Sequence, residues 1–393
     1  MTLQQHWQLD PDLDFLNHGS FGATPKVVTA AQREFQNALE RDPIEFLAPE
    51  RSLNPKLDHV RDLLAKLVGA DSTDLAFVRN ATEGVNAVLS SLPLQPGDEI
   101  LVTNHGYNAC INAARYVTQK CGAEVRVADI PFPLATPDAV IAAIDAGMNQ
   151  RTRLLLVDHV TSPTGIVFPL EPIIDLARRR NVRVLVDGAH APGMLPLNLH
   201  SLGADYYTAN HHKWLCGPKV SGFLWVAAHR QQEIRPTVIS HAANRPQPDR
   251  SRFLAEFDWT GTYDPSPILA MPSAIEFLNS LHPGGIVGLM EHNHLAAITA
   301  RNLLISVLNI EAPVPDAMLG SLVAVPLPVT SPLADARWAS LQRRLREQHH
   351  FELPVYPGPM KDSWILRISL QAYNNLSQIE RLAEVLRNEL NAV

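Results

Sequence analysis

The chain has 393 residues, of which 46% are hydrophobic and 19% charged, and a net charge of −7. That balance describes a globular protein rather than a disordered one, and the negative charge argues against nucleic acid, whose phosphates require a basic face. Three cysteines without ligand spacing exclude a disulfide scaffold and a zinc site, so no metal is expected.

The first residues, MTLQQHWQLD, lack the basic start and apolar core of a signal peptide. No uncharged apolar run reaches the ~18 residues of a membrane span, so a cytoplasmic protein with no membrane partner is expected. Residues 1–30 read as irregular, and LNHGSFGATP (Leu16 to Pro25) is rich in turn formers. Gly19 and Gly22 permit either close backbone approach or a tight turn. Helical periodicity covers 26–41 and 54–68, the second closing at Gly69.

From Leu75 the pattern alternates. Apolar runs at 75–78, 100–103, 124–128, 153–159, 182–187, 205–208 and 221–226 are separated mostly by helical patterns. Seven such strands predict a mainly parallel sheet covered on both faces. Neither a dinucleotide-binding glycine pattern nor a P-loop occurs. Beyond Pro265 the chain predicts a smaller α+β unit: a helical stretch opened by prolines and broken at Pro283-Gly284-Gly285, then helix 286–308, strand 321–327, helix 333–349, strands near 351–356 and 364–369, and helix 376–391. The expected organisation is an N-terminal segment (1–30) serving the site and the small domain, a large domain (31–265), and a small C-terminal domain (266–393).

Polar residues follow several of the apolar runs. After 75–78 comes RNATEG, a strand–turn–helix start in which Thr82 is either a plain N-cap or part of an anion cup. His105 and Tyr107 follow the next strand, and DHVTSPTG follows the run at 153–159. Polar groups at successive strand C-termini mark the edge where open α/β sheets bind ligands. The run VRVLVDGAH ends in Asp187, with His190 three residues on. About 25 residues later, NHHKW places Lys213 after a polar turn read over Ala209 to His212, ahead of a strand at Gly222–Val226. A pyridoxal phosphate enzyme needs an acid against the pyridinium nitrogen and a Schiff-base lysine nearby, and Asp187 with Lys213 meets that need. Near the end, WILRIS sets Arg367 in an apolar strand, where it requires a carboxylate from the protein or from a substrate.

Taken together, FLNHGSFGATP, NATEG, DHVTSPTG, VDGAHAPG, NHHKW and RIS…YN resemble, in order and over nearly the whole chain, the fold-type I pyridoxal phosphate enzymes of the aminotransferase class V superfamily. The isopenicillin N epimerase-like branch is the most similar. The resemblance implies pyridoxal 5′-phosphate as cofactor, Lys213 as its lysine and Asp187 as the pyridinium partner. It further implies His190 against the ring oxygen, where cysteine desulfurases usually have Gln. Ala81, Thr82 and Glu83 match the phosphate cup, Asn210 and His212 its side-chain contacts, and His105 the ring-stacking residue. Thr262 matches the segment reaching the partner subunit's phosphate, which implies a homodimer. Asn17 and Arg367 match the substrate-binding positions. The segment 351–363, where desulfurases carry a mobile cysteine, has none.

The expected activity is removal of an amino acid's Cα proton, epimerase-like, with carbon–sulfur lyase and aminotransferase as alternatives and a non-catalytic regulator as a remote one. Tyr107, His105 and His241 are candidates for returning the proton. The three cysteines are expected to be small buried hydrophobes whose joint replacement leaves turnover within a few-fold.

Overall fold

The computed structural model describes residues 3–329 and 332–391. Its strands, in chain order, are β1 (Asp14–Phe15), β2 (Leu75–Val78), β3 (Glu99–Thr103), β4 (Glu124–Ala128), β5 (Thr152–Asp158), β6 (Arg183–Asp187), β7 (Tyr206–Asn210), β8 (Gly222–Val226), β9 (Leu322–Leu327), β10 (Phe351–Glu352), β11 (Val355–Pro357) and β12 (Trp364–Ser369).

The seven-stranded sheet has the order β2-β8-β7-β6-β5-β3-β4. The pairs among β3 to β7 are parallel, while β8 is antiparallel to both β7 and β2. The connections up to β7 carry helices, but β7 and β8 are joined by the loop 211–221, and an antiparallel pair accepts so short a link. Alternate residues enter opposite cores. Leu154, Leu185, Tyr206 and Leu224 face one; Leu155, Val186, Tyr207 and Phe223 face the other. Both faces of β5 to β8 are therefore covered, which is why their middles read as apolar runs, while the edge strand β4 is mostly exposed.

The smaller sheet has the order β11-β12-β9, all antiparallel. Trp338, Leu304, Leu341, Ile368 and Leu382 form its core with helices Gly285–Leu308, Pro332–His349 and Leu376–Asn391. Leu16 joins that core, and β1 pairs in parallel with β10, while Trp7 and Ala23 of the same N-terminal stretch join the other core. Residues from the stretch 268–290, among them Ile268, Met271 and Leu278, pack instead with Val28 and Leu57 against the large sheet.

Three local expectations are corrected. The run 205–208 extends: Ala209 and Asn210, read as turn, continue β7 opposite Phe223 and Gly222. The strand near 351–356 is two strands with different partners, β10 on β1 and β11 on β12, parted at Leu353-Pro354. The helix Ala81–Ser91 is capped by Asn80, whose side chain accepts from the Glu83 amide, and not by Thr82.

Candidate active site

The loop between β7 and β8 holds Lys213, whose side chain is buried. Its backbone is clamped from behind. The His18 Nε2–H donates to the Lys213 carbonyl (2.9 Å), and the Tyr373 hydroxyl lies 2.8 Å from His18 Nδ1. Because a carbonyl only accepts, Nε2 carries the proton and Nδ1 accepts from Tyr373. Gly22, at φ +69°, passes so close that a Cβ there would lie 1.7 Å from the His212 carbonyl oxygen. Burial pushes the Lys213 amine down to about 8, with Asp187 opposing and Arg367 adding to the shift.

Asp158 and Asp187 are register partners at the ends of β5 and β6, both buried. Asp187 accepts from the Ala189 amide (3.0 Å) and from the Cys110 thiol (3.1 Å). Burial, and next the adjacent Asp187, raise the Asp158 carboxyl well above the usual carboxylate range; the Tyr107 backbone amide opposes this. Burial also raises the Cys110 thiol well above its ordinary value, and Asp187 adds to it. Cys110 is therefore not a bystander, contrary to expectation: the helix Asn108–Cys121 lays its first turn across the end of β6.

His190 bridges two neighbours, its Nε2 3.0 Å from Lys213 Nζ and its Nδ1 3.3 Å from the Trp214 indole nitrogen. At the start of helix Ala81–Ser91, the Ala81 amide donates to Asn210 Oδ1 (2.9 Å), and the Glu83 carboxylate accepts from the Arg79 amide (2.6 Å). Thr82 is half-buried between them. The buried Nδ1 of His212 has no hydrogen-bond partner among the described residues. Thr262 is exposed, away from this cluster, in the turn after helix Arg252–Asp258.

Arg367 enters from β12. It donates to the Ser162 carbonyl and, at 2.9 Å, to the Ser20 hydroxyl, and its guanidinium lies 5.9 Å from the centre of the Tyr356 ring. Its Nε is buried and unpaired, and among the described residues no carboxylate forms an ion pair with it. Asn17 accepts from Ser20 (2.6 Å) and donates to Glu352 (3.1 Å), so it reaches Arg367 through Ser20. His105 is fully buried, with Nδ1 2.7 Å from the Thr164 hydroxyl and Nε2 3.1 Å from the Ile130 carbonyl. Both its nitrogens are hydrogen-bonded within the protein. Tyr107 is 45% exposed and His241 lies in an exposed turn.

His18, Tyr373, Trp214, Ser20 and Cys110 were missed as members of this cluster, whereas Asp158 opens the quoted stretch DHVTSPTG. His18 and Trp214 lay inside the quoted motifs LNHG and HHKW. Nothing local pointed to Cys110, which a helix carries to β6.

The family model described as "Aminotransferase class-V" matches residues 15–382. The chain belongs to the aminotransferase class-V family. Over 96% of its length this class-V enzyme is 36% identical to the isopenicillin N epimerase of Streptomyces clavuligerus, covering 95% of it. Over the same share it is 30% identical to a probable chloroplastic L-cysteine desulfhydrase of Arabidopsis thaliana, covering 83% of that chain. The solved cystine C–S lyase C-DES, in complex with cysteine persulfide, shares the fold at a TM-score of 0.79 and 23% identity, with 96% of this chain and 98% of that one covered. The family's cofactor is pyridoxal 5′-phosphate, and the residues present fit it. They supply a buried amine whose proton is held loosely, a buried acid at a strand end, a helix N-terminus whose first amide meets Asn210, and the unpaired His212 Nδ1.

Proposed function

We propose that this class-V enzyme removes the Cα proton of an amino acid held on pyridoxal phosphate and returns it with the stereocentre inverted, as an isopenicillin N epimerase-like enzyme. The observation that carries this reading is Arg367: a buried guanidinium with no carboxylate partner among the described residues, set where its charge is felt by the Lys213 amine. Such a group is costly unless an incoming carboxylate completes it.

When bound, pyridoxal phosphate supplies the electron sink that makes a Cα–H bond acidic. The chain does the rest. Lys213 Nζ binds the cofactor and, once released, takes the Cα proton, a role suited to an amine whose proton is held loosely at neutral pH. Asp187 holds a proton on the pyridine nitrogen, and Ala189 and Cys110 keep its oxygens in place. Arg367, fixed by Ser162 and Ser20, orients the substrate carboxylate. Asn17 stiffens that arm through Ser20. Thr82, with the backbone of Ala81 and Glu83, and Asn210 and His212 would hold the phosphate, and His190 and His105 would hold the ring. Return of the proton falls to Tyr107, His105 or His241. The exposed Thr262 extends to a second copy in a homodimer.

A second reading is a carbon–sulfur lyase, favoured by the relationship to the Arabidopsis protein. It needs no enzyme thiol, in keeping with the absence of cysteine from 351–363. Incubating the holoenzyme with L- and D-amino acids and cysteine conjugates tests both. Inversion at unchanged mass supports the epimerase; pyruvate with ammonia supports the lyase. Failure to exchange the Cα proton of any of them in D2O would overturn the shared first step.

A further inference from the structure

Three residues form a directed chain at the centre of the molecule: Trp214, His190 and Lys213. The indole nitrogen of Trp214 lies 3.3 Å from His190 Nδ1, and His190 Nε2 lies 3.0 Å from Lys213 Nζ. An indole N–H can only donate, so Nδ1 must accept. A neutral imidazole has one donor and one acceptor, so its proton sits on Nε2 and points at Lys213. An ammonium has three donors and no acceptor, and two donors cannot share a contact of this length. A free amine, with its lone pair, can accept.

We propose that Trp214 is a positioning residue that fixes His190 as the Nε2–H tautomer and thereby favours the uncharged amine of Lys213. Trp214 cannot easily swing away. It is 1% exposed, packs with Val160, Met194 and Leu322, and is crossed by Gly193, where a Cβ would come within 2.5 Å of the Trp214 backbone. The other groups facing Lys213 are Asp187 on β6, Asp158 on β5, Cys110 on its helix and Arg367 on β12, with His212 and His18 facing the His190 ring. They act through charge. None of them hydrogen bonds His190, so none selects its tautomer. Without the indole N–H the imidazole proton moves to Nδ1, Nε2 accepts, and the charged ammonium becomes the better partner. The consequence for catalysis rests on Lys213 being the cofactor lysine; the tautomer argument does not.

The test uses apoprotein, labelled with limiting acetic anhydride across pH and mapped by mass, so that the amine midpoint of each lysine is read separately. In Trp214→Phe the Lys213 midpoint is expected to rise by about one unit, a tenfold fall in free amine below it. A 3-benzothienylalanine at 214, which keeps the ring shape and lacks the N–H, is expected to do the same and decides the matter if the Phe variant fails to fold. Lys219 serves as the unshifted control. In a His190→Phe background, Trp214→Phe is expected to move the midpoint no further. An unchanged Lys213 midpoint in the folded benzothienyl variant overturns the inference. Repeating the labelling with pyridoxal phosphate present tests the cofactor reading separately: if a lysine other than 213 becomes protected while the Lys213 midpoint still follows residue 214, the inference stands and the cofactor assignment fails.

Discussion

The thiol of Cys110 donates to Asp187 Oδ2 at 3.1 Å. Asp187 sits at the end of a sheet strand and Cys110 in the first turn of a helix, 77 residues apart in the chain. The thiol occupies one carboxylate oxygen and the Ala189 amide the other, so the carboxylate plane is fixed. A thiol is a weak donor, and its loss is worth about 1 kcal/mol, or about fivefold in an equilibrium. Cys110→Ala is expected to weaken cofactor retention by about that factor, Cys110→Ser to preserve it, and Cys121→Ala to change nothing. Equilibrium dialysis against pyridoxal phosphate measures all three; a Cys110→Ala protein that matches Cys121→Ala would refute the role. Because the reactive form of cysteine is the thiolate, the buried Cys110 and Cys216 are expected to resist alkylation in the native protein while the half-buried Cys121 reacts.

A second prediction concerns the clamp behind Lys213. His18 joins the Lys213 carbonyl to the Tyr373 hydroxyl and is itself fully buried. His18→Ala leaves two buried polar groups unpaired and a void, for an expected loss of about 2–4 kcal/mol. Tyr373→Phe removes one donor and is expected to cost about 1 kcal/mol. Gly22→Ala combines a left-handed φ with a backbone collision and is expected to lose more than about 1 kcal/mol together with cofactor binding. Urea unfolding of the single and double variants checks this. Additive losses from His18 and Tyr373 would show that the two do not act as one clamp.

Much of this architecture is legible in the chain, and what is not has a physical cause. β5 to β8 announce themselves because burial on both faces leaves mainly apolar residues in their middles. Lys213 and Asp187 stand out for the opposite reason: ionisable groups beside such runs need a purpose. Asn210 misled because a polar residue at a strand end resembles a turn, when its side chain is held by the Ala81 amide from a helix 129 residues away in sequence. The break at Leu353-Pro354 was hidden because two short strands with different partners look like one. The roles of Cys110 and His18 come from contacts that cross 77 and 195 residues, and no local pattern carries those.

A third prediction isolates the substrate arm. Arg367→Lys keeps the charge but loses the planar fork that Ser162 and Ser20 hold in place. If a substrate carboxylate completes this site, kcat/KM is expected to fall about 100-fold, close to 3 kcal/mol, with cofactor affinity unchanged. Ser20→Ala is expected to fall about fivefold, since it removes one acceptor from the guanidinium. Steady-state kinetics and cofactor content together decide it: loss of cofactor from Arg367→Lys would place the arginine in cofactor binding instead.

The last prediction follows from the buried histidines. Burial holds His18, His105, His159 and His212 down to about 4, and His211 down to about 3. Their unfolded counterparts titrate near 6.5, so between that value and about 4 the unfolded chain binds more protons than the folded one. Stability therefore rises with pH across that window, is fully present above it, and is lost as pH falls through it. Asp158 and Asp74, whose carboxyls burial raises, act with the opposite sign, but they are two groups against six, since burial lowers His190 as well. On these grounds the urea midpoint of the apoprotein is expected to drop steeply between about pH 6.5 and about pH 5. His211 gives a clean control. It lies 5.8 Å from Phe223 and 6.4 Å from Phe77 between ring centres, and neither of its ring nitrogens has a hydrogen-bond partner among the described residues. Replacing such a ring by an apolar one leaves no partner behind, so His211→Phe is expected to be neutral or stabilising near pH 7 and to make the acid slope shallower. An acid slope identical to that of the parent protein would mean that His211 does not titrate on unfolding as its burial requires.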